Sequence, residues 1–232
     1  MKMAIAAILL GLAFNLAAGA QTCTETAKVV VPQMSDETRK GYETRLAEAR
    51  DNLASKPDDA DAMIWVGRRL GYIGDYKEAI AVFSKGADQF PKDARFLRHR
   101  GHRYITLRCF DDAVRDFAQA AKLIKGKPDE IEPDGLPNAK NIPTSTLQSN
   151  IWYHLGLAYY VKGDLKKALK AYKEAEKVST NPDMLAATTH WHYMTLRRVE
   201  KEKDAARGLG PFGKPVEVIE NEDYYKLIKL YP

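Results

Sequence analysis

Small and apolar residues recur along the chain at a fixed interval, and this periodicity dominates its pattern. One set of positions returns after 34 residues and again after a further 55, which is one period of 34 plus an insertion of 21. The three copies are Gly67, Ala79 and Phe83; Gly101, Ala113 and Phe117; and Gly156, Ala168 and Tyr172. A self-similar period of this size predicts stacked supersecondary units that share one elongated core.

Within each copy, small residues occupy the positions where two helices would cross closely, and larger apolar residues nearby would fill the core. The spacing therefore predicts one helix pair per copy. The three in-phase copies resemble the tetratricopeptide repeat, a helix-turn-helix unit of about 34 residues. The resemblance implies an all-α solenoid that winds as a right-handed superhelix, with helical caps at its N- and C-terminal ends.

The rest of the chain is divided around these copies. Pro57 and Pro91 lie 34 residues apart, where this repeat commonly ends its second helix, and they predict a half repeat before the first full one. After the third copy the pattern weakens, and a last helix with Asn221 as N-cap is expected to cover the open end. The predicted units are a half repeat at 38–59, repeats at 60–93, 94–127 and 149–182, a degenerate repeat at 183–209, an insertion loop at 128–148 and a C-terminal capping segment at 210–232.

The first 20 residues have the features of a signal peptide. Lys2 supplies a positive charge, an apolar run follows, and the small residues from Ala18 to Ala20 predict cleavage near Ala20. The apolar run is too short to span a membrane, so we predict export to the periplasm or the medium and no transmembrane segment. Residues 21–37 are expected to form a flexible tail.

The composition is that of a soluble globular protein, with 232 residues of which 45% are hydrophobic and 29% charged. Lys and Arg number 36 against 31 acidic residues, and the formal net charge of +5 becomes +4 once Lys2 is removed with the signal peptide. This small excess and the export signal disfavour nucleic-acid binding. The two cysteines, Cys23 and Cys109, have no zinc or redox spacing, but they could pair in an oxidising compartment.

No sequence motif indicates catalysis. The chain has no G-x-S-x-G, no Walker-type glycine loop and no H-E-x-x-H. A G-x-G-x-x-G spacing at 208–213 follows a predicted helix instead of a strand, which disfavours dinucleotide binding. His99, His102 and His154 could approach one another as zinc ligands, but no carboxylate lies at an obvious spacing beside them. We therefore predict neither an enzyme nor a bound cofactor or metal.

The resemblance also implies where a ligand would bind. In this family the first helices of the repeats line a concave face that binds peptides, whereas the repeat signature forms the core. The candidate binding residues are Arg68, Tyr72, Arg95, Arg98, His99, His102, Asn150, Tyr153, His154, Tyr160 and Trp191. Some members hold a C-terminal carboxylate with a clamp of Lys, Asn and Arg. Here only Arg68 and Asn150 keep a clamp residue type, so that activity is not carried over.

The first helix of the second repeat has the sharpest charge pattern. Residues 95–108 contain five arginines, two histidines and no acidic residue. Guanidinium groups bind carboxylates and phosphates through paired hydrogen bonds, which predicts an acidic ligand. The alternative is internal neutralisation, because the insertion supplies Asp129, Glu130, Glu132 and Asp134. The two interpretations are compatible.

The insertion loop at 128–148 contains four prolines, which disfavour a long helix. It joins one repeat to the next, so it could form a wall or lid of the concave face, or serve only as a connector. The sequence as a whole predicts a non-catalytic interaction module of the cell envelope whose basic, aromatic groove binds an acidic peptide or partner protein. The alternatives are a small-anion pocket closed by the loop and a structural subunit of an envelope assembly.

Overall fold

The computed structural model describes residues 21–231, and the predicted signal peptide lies outside this range. The described residues form eleven α-helices and no β-strand beyond one isolated bridge. The helices are α1 (Cys23–Thr26), α2 (Asp36–Ser55), α3 (Ala60–Ile73), α4 (Tyr76–Gln89), α5 (Ala94–Thr106), α6 (Phe110–Leu123), α7 (Leu147–Lys162), α8 (Leu165–Val178), α9 (Pro182–Arg198), α10 (Glu202–Gly208) and α11 (Glu222–Leu230). The all-α class predicted from the sequence is confirmed.

Consecutive helices pack against one another from α2 to α9, as expected of a solenoid. The pairs α3 with α4, α5 with α6 and α7 with α8 are the three repeats, and α9 carries both α10 and α11. None of the helices within residues 21–231 has the length and apolar character needed to cross a membrane.

The repeat signature forms the contact between the two helices of each pair. A Cβ atom on Gly67 would lie 2.5 Å from the Phe83 ring, and one on Gly156 would lie 2.5 Å from the Tyr172 ring. Both aromatic residues are at most 1% exposed. Glycine on the first helix therefore makes room for the aromatic ring of the second, and this close packing fixes the angle at which the helices meet.

The turn inside each pair is also shared by the three repeats. Gly74 and Gly163 end α3 and α7 in the left-handed region, with φ of 88° and 81°. The equivalent residue after α5 is Arg108, which adopts φ of 63° without the freedom of glycine. The same turn geometry is therefore imposed by helix packing even where the sequence does not favour it.

The N-terminal segment is attached to the first repeats. Cys23 forms a disulfide with Cys109 at the start of α6, and Ala27 and Val29 pack against a buried cluster that includes Tyr76 of α4. The sequence predicts a flexible tail over residues 21–37. The structure differs because the disulfide and this small apolar cluster fix its first half to the repeats.

The C-terminal segment covers the other end of the solenoid. Ile228 of α11 is 3% exposed and packs against α9, and the Tyr231 ring stacks on Tyr193 with ring centres 4.0 Å apart. Leu227, the neighbour of Ile228 on α11, is 40% exposed. The cap therefore packs against the repeats through one face of α11.

Candidate functional site

The insertion loop folds back over the concave face formed by α3, α5 and α7. Its two ends run side by side, because Ile131 and Thr146 form an antiparallel bridge and the Glu132 N–H donates to the Ser145 carbonyl at 3.1 Å. This short pairing directs the segment between residues 131 and 143 out across the repeats. The base of the loop is therefore closed by main-chain hydrogen bonds, which include that from the Leu147 N–H of α7 to the Glu130 carbonyl at 2.9 Å.

The loop backbone binds directly to α3. Arg68 Nη1 donates to the Pro133 carbonyl at 2.8 Å, and Arg69 Nη1 donates to the Gly135 carbonyl at 3.0 Å. The approach is so close that a Cβ atom on Gly135 would lie 1.8 Å from Tyr72 Oη. A larger residue at this position would force the loop or the Tyr72 side chain to move.

The carboxylate of Glu132 reaches into the basic centre of α5. Its Oε2 lies 2.8 Å from Arg98 Nε and accepts from Asn150 Nδ2 at 3.1 Å, while Oε1 lies 3.9 Å from His99 Nε2. The Arg98 and Glu132 side chains are only 8% and 9% exposed. Burial lowers the pKa of Arg98, and the Glu132 carboxylate opposes this shift. The pair is therefore a buried ion pair between the loop and the repeat.

Three histidines pack beneath this ion pair. His99 stacks on Phe83 with ring centres 5.4 Å apart, and His154 stacks on Phe117 at 5.6 Å. The His102 ring centre lies 4.6 Å from that of His154. Each ring therefore continues the apolar core toward the concave surface.

These histidines are neutral at neutral pH. Burial lowers the pKa of His154 to about 3, with a smaller contribution from the charge of Arg98. Burial and the neighbouring arginines, Arg98 and Arg103 among them, hold the pKa of His99 and His102 well below the ordinary value. The positive charge of the groove thus comes from arginine alone.

Arg103 is the arginine that the sequence analysis did not place in the site. Its Nη2 lies 3.0 Å from His102 Nδ1, and no carboxylate pairs with it anywhere in residues 21–231. Burial and the charge of Arg98 lower its pKa to about 10. Arg103 lines a cavity of about 130 Å³ together with Arg68, Arg98 and Glu132. One carboxylate therefore faces three guanidinium groups.

Two other arginines of α5 pair with acids outside the cavity, and for Arg95 one of these is Asp93, the N-cap of α5 itself. Arg95 pairs with Asp93 at 2.6 Å and with Asp61 at 2.5 Å. Arg100 pairs with Asp116 at 2.7 Å. Arg95 was a predicted ligand residue, and the structure places it at the start of α5 in this ion-pair network.

The aromatic candidates form a second cluster, which α11 covers. Tyr160 and Trp191 meet edge to face with ring centres 5.1 Å apart. Tyr224 Oη accepts from Trp191 Nε1 at 3.4 Å and lies 3.3 Å from Tyr153 Oη. Burial raises the pKa of Tyr153. These residues are therefore part of the contact between the repeats and the C-terminal cap.

The loop and the C-terminal segment are also joined to each other. Asn138 Nδ2 donates to Glu220 Oε1 at 2.8 Å, and Thr144 Oγ1 donates to the other oxygen of the same carboxylate. The Asp183 carboxylate accepts the backbone N–H groups of residues 219–221 at 2.7 to 3.1 Å. The two segments consequently cover the concave face as one connected layer.

Comparison with known proteins agrees with this architecture. The tetratricopeptide repeat model matches residues 149–179, which lie within the third repeat. MamA from Desulfovibrio magneticus RS-1 superposes with a TM-score of 0.56 at 17% identity, over 75% of this chain and 85% of MamA. YrrB, a TPR protein with an unusual peptide-binding site, superposes with a TM-score of 0.53 at 16% identity, over 70% of this chain and 71% of YrrB. The third repeat therefore matches the tetratricopeptide repeat family, and the described residues have the fold of a tetratricopeptide repeat solenoid.

Curated relatives share the repeats over part of their length. BBSome complex member BBS4 from Bos taurus is 30% identical over 145 residues, which are 62% of this chain and 24% of that protein. Tetratricopeptide repeat protein 13 from Homo sapiens is 28% identical over 138 residues, which are 60% of this chain and 14% of that protein. The chain spans a quarter or less of these relatives.

The predicted site residues divide into those that meet at the concave face and those that do not. The sequence brought together Arg68, Tyr72, Arg98, His99, His102, Asn150 and His154, which the structure also groups. It missed Arg103 and did not single out Glu132 among the four acids of the insertion. Two signals in the sequence could have indicated these residues. Arg103 lies one helical turn beyond His99, and Glu132 is the second glutamate of a Glu-x-Glu spacing after Asp129.

Proposed function

We propose that this protein is a non-catalytic protein-interaction module of the cell envelope, and that its basic concave groove receives an extended acidic segment of a partner. One observation carries this proposal: an acidic segment of the chain itself already occupies the groove. Glu132 lies against Arg98 at 2.8 Å, and Arg68 and Arg69 bind the carbonyl groups of the residues that follow.

The arginine contacts with the loop are of a general kind. Two are hydrogen bonds from arginine to main-chain carbonyls, and one is an ion pair with a carboxylate. Any extended acidic segment offers both groups, so a partner could replace the loop without a new set of pockets. The loop then acts as an internal competitor, with an effective concentration on the order of millimolar.

The disulfide supports an extracytoplasmic location. Cys23 and Cys109 are bonded, and disulfides persist in oxidising compartments such as the periplasm. Cys23 follows the predicted cleavage position by a few residues. The predicted signal peptide and the disulfide are independent features that favour the same compartment.

A peptide titration tests the groove proposal. The probe is a fluorescein-labelled peptide with the sequence of residues 128–138, PDEIEPDGLPN. The variant Gly135→Ala should push the loop off Tyr72 and bind the probe at least about tenfold more tightly than the wild type does. Gly210→Ala is the matched control, because nothing lies within 4 Å of a Cβ atom there.

The control peptide carries Gln in place of both glutamates and should bind weakly to every variant. Hydrogen exchange of the loop amides establishes that Gly135→Ala has released the loop. If the loop is released and the acidic probe still binds no better than the control peptide, the groove is not a receptor for acidic segments.

A second function is favoured by Arg103. The cavity beside it, about 130 Å³ with three arginines and one glutamate, suits a small anion such as phosphate or a carboxylate and not a peptide. Calorimetric titration with inorganic phosphate tests this function. If the wild type binds phosphate and Arg103→Met does not, the small-anion function is supported. If the heat of titration is the same for the wild type and Arg103→Met, this function is rejected.

A further inference from the structure

The convex side of the solenoid carries grooves between successive second helices. In the groove between α4 and α6, Arg100 Nε binds Asp116 Oδ2 at 2.7 Å and its Nη1 donates to Ser84 Oγ at 3.0 Å. This network joins α4, α5 and α6. The first groove is therefore closed by polar side chains of the protein itself.

The groove one repeat later lacks all three of these side chains. Counted from the repeat glycines and alanines, Arg100 is replaced by Leu155, Asp116 by Ala171 and Ser84 by Ala118. The groove between α6 and α8 is consequently open, with a volume of about 930 Å³ and a floor that includes Trp152 and Leu155. The different residues at these three corresponding positions therefore leave an apolar depression where the preceding groove is closed by polar side chains.

Lysines surround this depression. Six line it against a single acid, Glu174. Lys167 pairs with Asp164 and Lys177 pairs with Glu174. The other four have no ion pair within residues 21–231, and they are Lys122, Lys125, Lys170 and Lys173. An apolar floor under a ring of unpaired lysines is complementary to an apolar surface with acidic flanks.

We propose that the groove between α6 and α8 docks an amphipathic helix of a partner protein, with its apolar stripe on Trp152 and Leu155 and its acidic flanks against the lysines. A helix in a groove is a recurrent mode of peptide recognition. The 14 residues of α8 span about 21 Å, which accommodates about four turns of a partner helix. This surface is separate from the concave groove, so either proposal can fail without the other.

The position of the apolar residues favours a helix over a lipid surface. Leu155 is 5% exposed and forms the floor. Of the large apolar residues that are strongly exposed within residues 21–231, none lines this groove. Nothing apolar therefore protrudes beyond the lysines to enter a bilayer, whereas leucines on a partner helix can reach inward.

The test uses designed peptides as probes of the two features. A 16-residue helical peptide carries Leu at positions i, i+3, i+4 and i+7 with Glu on both flanks, and a scrambled peptide has the same composition without the stripe. We expect the striped peptide to shift the Trp152 indole resonance in NMR titrations and to bind at least about tenfold more tightly than the scrambled one.

Two variants locate the binding. The double variant Lys170→Glu, Lys173→Glu should weaken binding of the striped peptide at least about tenfold. The control is the double variant Lys85→Glu, Lys92→Glu, which changes exposed lysines outside the groove and should leave the affinity unchanged. Leu155→Arg with Ala171→Asp transfers the Arg100–Asp116 pair into the groove and should abolish binding, with folding checked by circular dichroism.

Three results would overturn the proposal. The first is no binding of the striped peptide at millimolar concentration, and the second is equal binding of both peptides. The third is that the protein binds vesicles of phosphatidylcholine and phosphatidylglycerol (ratio 7 to 3), that this binding depends on Lys170 and Lys173, and that the peptide does not bind. That result would assign the surface to a membrane.

Discussion

The concave and convex faces of this solenoid are both cationic, but their charges are satisfied differently. On the concave side, Arg98 is buried against Glu132 of the insertion loop, and α11 covers the aromatic residues beside it. On the convex side, the lysines between α6 and α8 stand exposed around an open apolar floor. The chain covers one face with its own segments and leaves the other available.

The difference teaches that charge density alone does not locate a binding surface. The arginines of α5 are the denser cluster in the sequence, yet most of them meet a carboxylate or the backbone of a neighbouring segment. The lysines of α8 are less conspicuous and more available. Availability depends on which acids the fold brings near, and that is a tertiary property.

The largest expected effect comes from breaking the concave cover at Glu132. Glu132→Ala leaves Arg98 buried without its partner and should lower the free energy of unfolding by about 3 to 5 kcal/mol. Urea denaturation measures this loss. Glu130→Ala is the control, because that side chain is exposed and its removal should change stability by less than about 0.5 kcal/mol. Equal costs for the two variants would contradict the burial argument.

Releasing the N-terminal segment should have the next largest effect. The disulfide between Cys23 and Cys109 closes a loop with a sequence separation of 86 residues, and its loss should cost about 2 to 4 kcal/mol. The measurement is urea denaturation of Cys23→Ser beside the wild type with and without reductant. Reductant should destabilise the wild type and leave Cys23→Ser unchanged. An unchanged midpoint for the reduced wild type would show that the apolar contacts alone hold this segment.

Acid should act on the concave face through its histidines. The folded pKa of His154 is lowered to about 3, and those of His99 and His102 are also lowered. Below pH about 6.5 the unfolded chain therefore binds protons that the folded chain does not, and each histidine lowers the stability by about 1.4 kcal/mol per pH unit. Urea denaturation between pH 6.5 and 5.0 measures how the free energy of unfolding changes with pH. This slope gives the number of protons taken up on unfolding, which His154→Gln should lower by about one. A slope unaffected by His154→Gln would place the acid response elsewhere.

The convex face should show the smallest effect on stability. Lys170→Glu with Lys173→Glu removes charges that have no ion pair within residues 21–231. The free energy of unfolding should change by less than about 0.5 kcal/mol in urea denaturation. A loss of several kcal/mol would mean that these lysines support the fold and are not held available for a partner.

The periodicity of Gly67, Ala79 and Phe83 was enough to predict the all-α repeat fold, because close helix crossings require small residues at fixed positions. The same periodicity could not predict the path of the loop. That path depends on Gly135 passing over Tyr72 and on Glu132 reaching Arg98, which are contacts between residues distant in sequence. The sequence allowed two interpretations of the arginines of α5, a ligand site and neutralisation by acids of the insertion. Only the tertiary contacts identify Glu132 as the acid that meets Arg98.

The coupling between Arg98 and Glu132 tests most directly whether the concave charge is neutralised from within. A double-mutant cycle with Arg98→Met, Glu132→Ala and the combined variant, measured by urea denaturation, isolates this interaction. The buried ion pair predicts that the combined variant is more stable than Glu132→Ala alone, with a coupling of about 1 to 3 kcal/mol. Strictly additive costs would contradict it, and would mean that the loop covers the groove without neutralising it.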